Sequence, residues 1–386
     1  MKIVYIANTD WYLYNFRRNL MVAAQESGHD VLALSPPGPY GARLNDLGIS
    51  WQPLEMNRSG TNPLEELKCV WTLSRILREK QADLVHSFTI KGTLHGSLAC
   101  IAARTRARVN AVAGLGFIFT SGSLKARLLR FPVGLLLKVA MGGANTRVIL
   151  QNPDDVRAIQ QASLAPENNI RLILGSGVDC IRFSPRRSPA EPESISVLLA
   201  ARLLRPKGIE DFVEASRLLR KQGASIRFLL AGTPDPGNPD SIEESSVREW
   251  VKEGLVEWLG HVEDMPSLMS EVDVFVLPTY YGEGLPRSLI EAAASGLALI
   301  TTDIPGCREV VSHEEDGLRV PVRDPQSLAS AIRRLDNDRE LTVRLGNAAR
   351  EKATQLFDER IVVEKTLAVY KELDVAETEL DAVTLR

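Results

Sequence analysis

Short β-rich apolar runs alternate along the chain with stretches in which apolar residues recur at helical spacing. KIVYIA (2–7), DVLALS (30–35), the segment near Ile49–Leu54, DLVHSF (83–88), ARVNAV (107–112) and TRVILQ (146–151) read as strands. Helical patterns fill the gaps, among them Asn15–Ser27 and Asn62 to about Lys80. A second set begins at SISVLLAAR (194–202) and continues through SIRFLLAG (225–232), LVEWLG (255–260), VDVFVLP (272–278) and LALITTD (297–303). Strands that alternate with helices build βαβ units and parallel sheets, and the number of strands suffices for two doubly wound sheets. Gly, Pro and Ser cluster over 175–194, which puts the boundary there: one domain over 1–175, a second over 176–358. Beyond Asp374 the acidic tail is expected to fray.

At 386 residues, two domains are the natural count, and 44% apolar with 25% charged residues is globular composition. Cys69, Cys100, Cys180 and Cys307 form no CxxC pair and no disulfide framework, which points to a reducing cytosol. The apolar run at the N-terminus is too short for a signal peptide, and no window reaches the ~18 apolar residues of a spanning helix. The net charge of −3 hides an asymmetry, +8 over 1–175 against −11 over 176–386. No Asp or Glu occurs between Asp83 and Asp154. Inside that stretch, residues 123–141 mix Lys125, Arg127, Arg130 and Lys138 with leucines and Phe131. The segment alone allows two readings: a helix lying on an anionic membrane surface, or a core helix whose cations snorkel outward. Nucleic acid is disfavoured, because the basic stretch has few aromatics and no recognition motif.

Ligands of open α/β sheets bind outside the carboxyl ends of strands, so the loops there carry the candidate chemistry. The loop after the first strand, ANTDWYLYNF, has no glycine and excludes a dinucleotide fingerprint and with it a nicotinamide cofactor. AARLLRPKG (200–208) puts Arg202 and Lys207 beside a Pro–Gly turn at the mouth of the second sheet, a fork and a point charge suited to a pyrophosphate. In LPTYYGEGLPRSLIEAAASG (277–296) a strand ends and a loop follows, and Pro286 sits where a first helical residue belongs. The amides near Gly284 and Leu285 and the positive end of the helix dipole make an anion site. Glu283 and Glu291, eight residues apart, fall on one side and suit sugar hydroxyls. The five histidines are scattered and no acidic pair follows a strand of the second domain, so no metal is expected. His95 and His313 read as surface residues.

ARLLRPKG, EGLPRSLIE with its two glutamates, TDIPGCREVV and DGLRVP together resemble the retaining glycosyltransferases of the GT4 type. The likeness extends over nearly the whole chain. YNFRRNL (14–20), NRSGTNP (57–63), HSFTIKGTLHG (86–96), VAGLGFIFTSGS (112–123) and QNPDD (151–155) are similar to a narrower branch, which builds bacterial capsule, O-antigen and N-glycan on polyprenyl-diphosphate carriers. The resemblance implies an α/β GT-B fold: two Rossmann-like domains across a cleft, with a C-terminal helix of about 359–386 packing back on the acceptor-binding, membrane-facing first domain. It implies that Arg202 and Lys207 neutralise the donor pyrophosphate, Glu291 holds the ribose, and Glu283 bonds the donor sugar. Gly284 and Leu285 would then serve phosphate or sugar, and His261 and Val262 would lie near a nucleobase.

In the first domain the resemblance makes Arg17, His86 and Lys91 candidates for the acceptor's diphosphate. Read on its own, His86 is a satisfied core histidine. One departure stands out: relatives carry a histidine in the loop where this chain has Ala113 and Gly114. The expected function is transfer of a UDP-hexose or UDP-HexNAc sugar, metal-independent and with retention, onto a polyprenyl-diphosphate-linked sugar. The enzyme would sit on the inner face of the cytoplasmic membrane, held there by Lys125, Arg127, Arg130 and Phe131. An epimerase of the same fold and a non-catalytic nucleotide-sugar adaptor are the alternatives.

Overall fold

The computed structural model describes residues 1–57, 62–113, 124–185, 195–282 and 284–384, and of 124–131 and 375–384 the backbone alone. It divides into two compact units, Met1–Ser176 with Arg360–Arg386, and Gly177–Glu359.

The first unit is built on seven parallel strands: β1 (Lys2–Ile6), β2 (Asp30–Ser35), β3 (Ser50–Pro53), β4 (Leu84–Phe88), β5 (Ala107–Val112), β6 (Thr146–Leu150) and β7 (Ile170–Leu172), in the order 3-2-1-4-5-6-7. β1 is apolar on both faces, as a strand covered by helices on both sides tends to be: Ile3, Val4, Tyr5 and Ile6 are all buried. The first helix, Asp10–Glu26, starts five residues before the expected Asn15, because Thr9 Oγ1 accepts from Tyr12 N at 3.1 Å and caps it there. Helix Pro63–Glu79 is capped by Asn62, whose side chain accepts from Leu64 N. Helix Tyr40–Asp46, which the periodicity does not reveal, is held by Asp10: its Oδ2 accepts from Tyr40 N at 2.7 Å and Gly41 N at 3.2 Å.

The last helix, Glu359–Thr384, continues through the tail expected to fray. Val362, Val369, Tyr370 and Leu373 enter the core of the first unit. Glu372 accepts from Arg147 and Arg171, and Arg106 pairs with Asp374 at 3.0 Å.

The second unit carries six parallel strands: β8 (Ser196–Ala200), β9 (Arg227–Ala231), β10 (Glu257–Gly260), β11 (Val274–Leu277), β12 (Ala298–Thr302) and β13 (Leu318–Val320), in the order 10-9-8-11-12-13. The three-residue strands β7 and β13 are too short to show a period and are visible only in the structure. The strand order reverses between β8 and β11, which opens the crevice where doubly wound sheets take ligands. Among the described residues no helix is long and apolar enough to cross a membrane.

Candidate active site

The loops after β8 and β11 border that crevice. After β8 the chain makes a 3₁₀ turn, Arg205–Lys207, with Gly208 at φ +74°. The turn is closed by Lys207 N donating to Leu204 O and Gly208 N to Arg205 O. A Cβ on Gly208 would lie 2.2 Å from Pro278 O. Glycine is therefore required twice, for its backbone angle and for the close approach of the two loops. The turn's carbonyl Pro206 O accepts from Tyr280 N at 3.0 Å and from Thr279 Oγ1 at 2.9 Å. Thr302 Oγ1 at the end of β12 donates in turn to Thr279 O. One backbone and one hydroxyl hydrogen bond thus fasten the segment bearing Arg202 and Lys207 to the segment leading into helix Arg287–Ala294.

Gly284, Leu285 and Pro286 are buried at the entry to that helix. Pro286 is the residue before its first turn, at ψ 113°, rather than the first helical residue expected. The shift is one position, and the role of a proline with no N–H to leave unsatisfied is the same. Glu291 is half-buried, and Arg287 Nε donates to its Oε1 at 2.7 Å. Arg202 is half-exposed and pairs with Asp235 at 2.7 Å in the loop after β9. Lys207 is half-buried. Glu283 lies outside the described residues.

His261, exposed, and Val262, half-buried, follow β10 at the same carboxyl edge. Gly232 N donates to Gly260 O at 2.7 Å and Ala201 N to Ala231 O at 3.1 Å, which stitches the ends of β8, β9 and β10 side by side. Two strand spacings, about 10 Å, separate the β10 end from the β8 end, comparable to the reach from a diphosphate to its base. The loops after β8, β10 and β11 thus carry Arg202, Lys207, His261, Val262, Gly284 and Leu285 on one edge of one sheet, and Glu291 follows in the second turn of the helix. Asp235 and Arg287, the carboxylate and the guanidinium that tie down Arg202 and Glu291, have no role in the sequence reading. Arg287 was findable, since residues four apart on a helix are neighbours.

The three residues considered for the acceptor are placed differently. His86, in the middle of β4, is 1% exposed, and its Nδ1 lies 2.6 Å from Tyr370 Oη. Tyr370 donates on to Tyr5, and His86 Nε2 has no partner. Burial first, and then the Arg17 charge, hold this imidazole well below its ordinary pKa. A side chain enclosed in this way packs the last helix against the sheet and is shut off from any acceptor, so the core reading of His86 replaces the acceptor one.

Because the folded pKa is depressed, the unfolded chain binds a proton that the folded one refuses. Stability is therefore expected to fall as pH drops through about 6.5, by at most roughly 1.4 kcal/mol per pH unit from this group. Comparing unfolding midpoints of wild type and His86→Gln at pH 7.5 and 5.5 checks this: the variant should show the shallower slope, and equal slopes would contradict it.

Arg17 is 5% exposed, lies over the Phe88 ring at 4.5 Å and donates to Tyr12 Oη at 2.9 Å, while its Nε is unpartnered. Lys91 donates to Glu66 at 2.6 Å and to Asn57 O at 2.5 Å. Glu66 also holds His95, which is buried rather than on the surface, with Nε2 2.5 Å from Oε2. The side chains of Lys125, Arg127, Arg130 and Phe131 lie outside the described residues. Helix Leu124–Met141 itself exposes Leu135, Leu136 and Val139.

Two families match this chain, one described as glycosyl transferase 4-like over residues 2–152 and one as glycosyl transferases group 1 over 194–338. The chain is a GT4-type glycosyltransferase. It is 29% identical over 381 residues to an N,N'-diacetylbacillosaminyl-diphospho-undecaprenol alpha-1,3-N-acetylgalactosaminyltransferase of Campylobacter jejuni, covering 96% of this chain and 98% of that one. It is 25% identical to an Escherichia coli UDP-Gal:alpha-D-GlcNAc-diphosphoundecaprenol alpha-1,3-galactosyltransferase, over 81% of each. Its fold is the GT-B fold of the solved glycosyltransferases. Anabaena HepE, solved with UDP and glucose, superposes with a TM-score of 0.77 at 21% identity, over 96% of this chain and 99% of that one. This glycosyltransferase carries its clustered polar loops in the group 1 segment.

Proposed function

We propose that this glycosyltransferase moves a sugar from a UDP-sugar, with retention, onto a sugar carried by polyprenyl diphosphate, in the synthesis of a bacterial surface glycan. The observation that carries the reading is the fastening of the Arg202–Lys207 loop to the Thr279–Tyr280 loop at the strand-order reversal. It joins the loop that carries the two cations to the segment that leads into the helix, and a diphosphate lying along that junction would meet cations on one side and a helix start on the other. The names of the Campylobacter and Escherichia relatives supply the acceptor class, and the UDP-Gal of the second supplies the nucleotide.

In the step we propose, the bond between the donor's anomeric carbon and the phosphate oxygen breaks, and one to an acceptor hydroxyl forms on the same face. The hydroxyl proton goes to the departing phosphate, and no enzymic nucleophile is used. Arg202 and Lys207 stabilise the charge that gathers on UDP, work that a metal does elsewhere. Glu291 accepts from the ribose hydroxyls, and Glu283, Gly284 and Leu285 hold the donor sugar and its phosphate. His261 and Val262 flank the base. Arg17 and Lys91 serve the acceptor's diphosphate. The helix Leu124–Met141 rests on the inner face of the cytoplasmic membrane through Lys125, Arg127, Arg130 and Phe131.

Incubation with a panel of UDP-sugars and a bacterial membrane extract, with the lipid fraction read by mass, tests this. A lipid-linked product heavier by one sugar is expected, with turnover unchanged by EDTA. Epimerised UDP-sugar in the absence of any acceptor would overturn the transferase reading, and loss of turnover in EDTA would overturn the cation-only account of the leaving group.

A further inference from the structure

Helix Pro63–Glu79 has two apolar faces. Cys69, Leu73, Ile76 and Leu77 point into the core. At 100° per residue, Leu64, Leu67 and Trp71 fall within roughly 60° of one another on the opposite side. They are 76%, 65% and 62% exposed, three of the five most exposed large apolar side chains among the described residues. Scattered exposed apolar residues are ordinary; three on successive turns of one helix form a stripe. Arg75 and Arg78 continue the same arc, with the Arg75 guanidinium 5.4 Å from the Trp71 ring centre, and Lys68 flanks it.

Helix Thr89–Ala103 packs against both Pro63–Glu79 and Leu124–Met141, so the three form one layer. The helix that bears the stripe carries three Lys and Arg against three acids, and Lys91 and the four cations of the third helix raise the layer to eight against three; that third helix exposes Leu135, Leu136 and Val139. Apolar side chains set among an excess of cations complement an anionic bilayer: the apolar groups enter the acyl boundary and the cations meet headgroups. A tryptophan with a cation over its ring suits the headgroup level.

We infer that Leu64, Leu67 and Trp71 form a membrane-insertion stripe by which the first unit docks on anionic phospholipid, separate from the cations of residues 125–130. The inference rests on the proposed lipid-linked acceptor and extends it: the helix that bears the stripe on one side presents Glu66, which Lys91 grips, on the other.

The test uses the full chain with phosphatidylcholine vesicles, with and without phosphatidylglycerol. Wild type is expected to sediment with the anionic vesicles, and brominated lipid should quench a Trp71 component of its fluorescence that Trp71→Phe lacks. A Leu64→Gln, Leu67→Gln, Trp71→Gln variant is expected to lose about tenfold or more in vesicle partitioning, with UDP affinity unchanged as the check on folding. The stripe is overturned if that variant sediments like wild type, or if quenching is the same with and without Trp71. It is also overturned if the substitutions dissociate a dimer and leave vesicle binding intact, for the stripe would then join two copies of this chain. If only Lys125→Gln, Arg127→Gln and Arg130→Gln together abolish sedimentation, the membrane reading stands and the stripe falls. If wild type ignores anionic vesicles, both fall.

Discussion

Lys207→Ala is expected to weaken UDP binding by about 1.5–3 kcal/mol, the worth of a hydrogen bond to a charged group, and to lower kcat by about a hundredfold or more. The fall in kcat comes on top of the loss in binding because the charge on the leaving diphosphate grows as the anomeric bond breaks, so the lysine contributes more to the transition state than to the bound donor. Its position makes the difference from Arg202. Lys207 ends a turn pinned by four backbone and hydroxyl hydrogen bonds, whereas Arg202 lies outside that turn, half-exposed in its pair with Asp235. An exposed pair of that kind is worth little and can exchange its carboxylate for a phosphate, at some cost in order. Arg202→Ala should therefore lose less in kcat than Lys207→Ala. Titration calorimetry with UDP and steady-state rates on both variants decide this: unchanged UDP affinity in Lys207→Ala would remove the lysine from the site.

What could be read from the chain follows from what is local. The buried strands β8, β9, β11 and β12 announce themselves as near-continuous apolar runs, because a parallel sheet covered on both faces has no polar side. Arg202, Lys207, Gly208 and Pro286 are legible for a similar reason: Pro and Gly mark where the backbone must turn, and those turns lie next to strand ends. The resemblance adds the family that uses them.

What could not be read depends on pairs distant in sequence. His86 meets Tyr370 across 284 residues, and Arg202 meets Asp235 across 33. No periodicity carries either contact, so the sequence allows His86 two readings, and its burial decides between them. His95 shows the same limit, since its helix is small-residue-rich on every side and gives no amphipathic signal to say which face is inward. Helix Tyr40–Asp46 carries no start signal of its own, because the carboxylate that holds its first amides, Asp10, sits thirty residues upstream.

Gly208→Ala is expected to destabilise the second unit by about 2–4 kcal/mol, combining the cost of a left-handed backbone for a residue with a Cβ and that of overpacking against a rigid neighbour. The methyl would lie 2.2 Å from Pro278 O and 2.7 Å from its carbonyl carbon, both backbone atoms that no rotamer can move aside. Relief comes only if the Arg205–Lys207 turn and the Pro278–Tyr280 segment separate, which stretches the bonds to Pro206 O and carries Lys207 away from the helix start. Gly223→Ala is the matched control. Gly223 has φ +77°, and a Cβ there meets nothing within 4 Å, so it incurs the backbone cost alone, about 1–2 kcal/mol. The excess of Gly208→Ala over Gly223→Ala, read from denaturant midpoints, isolates the close approach of the two loops. UDP affinity should fall in Gly208→Ala and hold in Gly223→Ala. If the two variants are equally stable and bind UDP alike, the loops are not fastened to each other as described, and the donor site built on that fastening loses its basis.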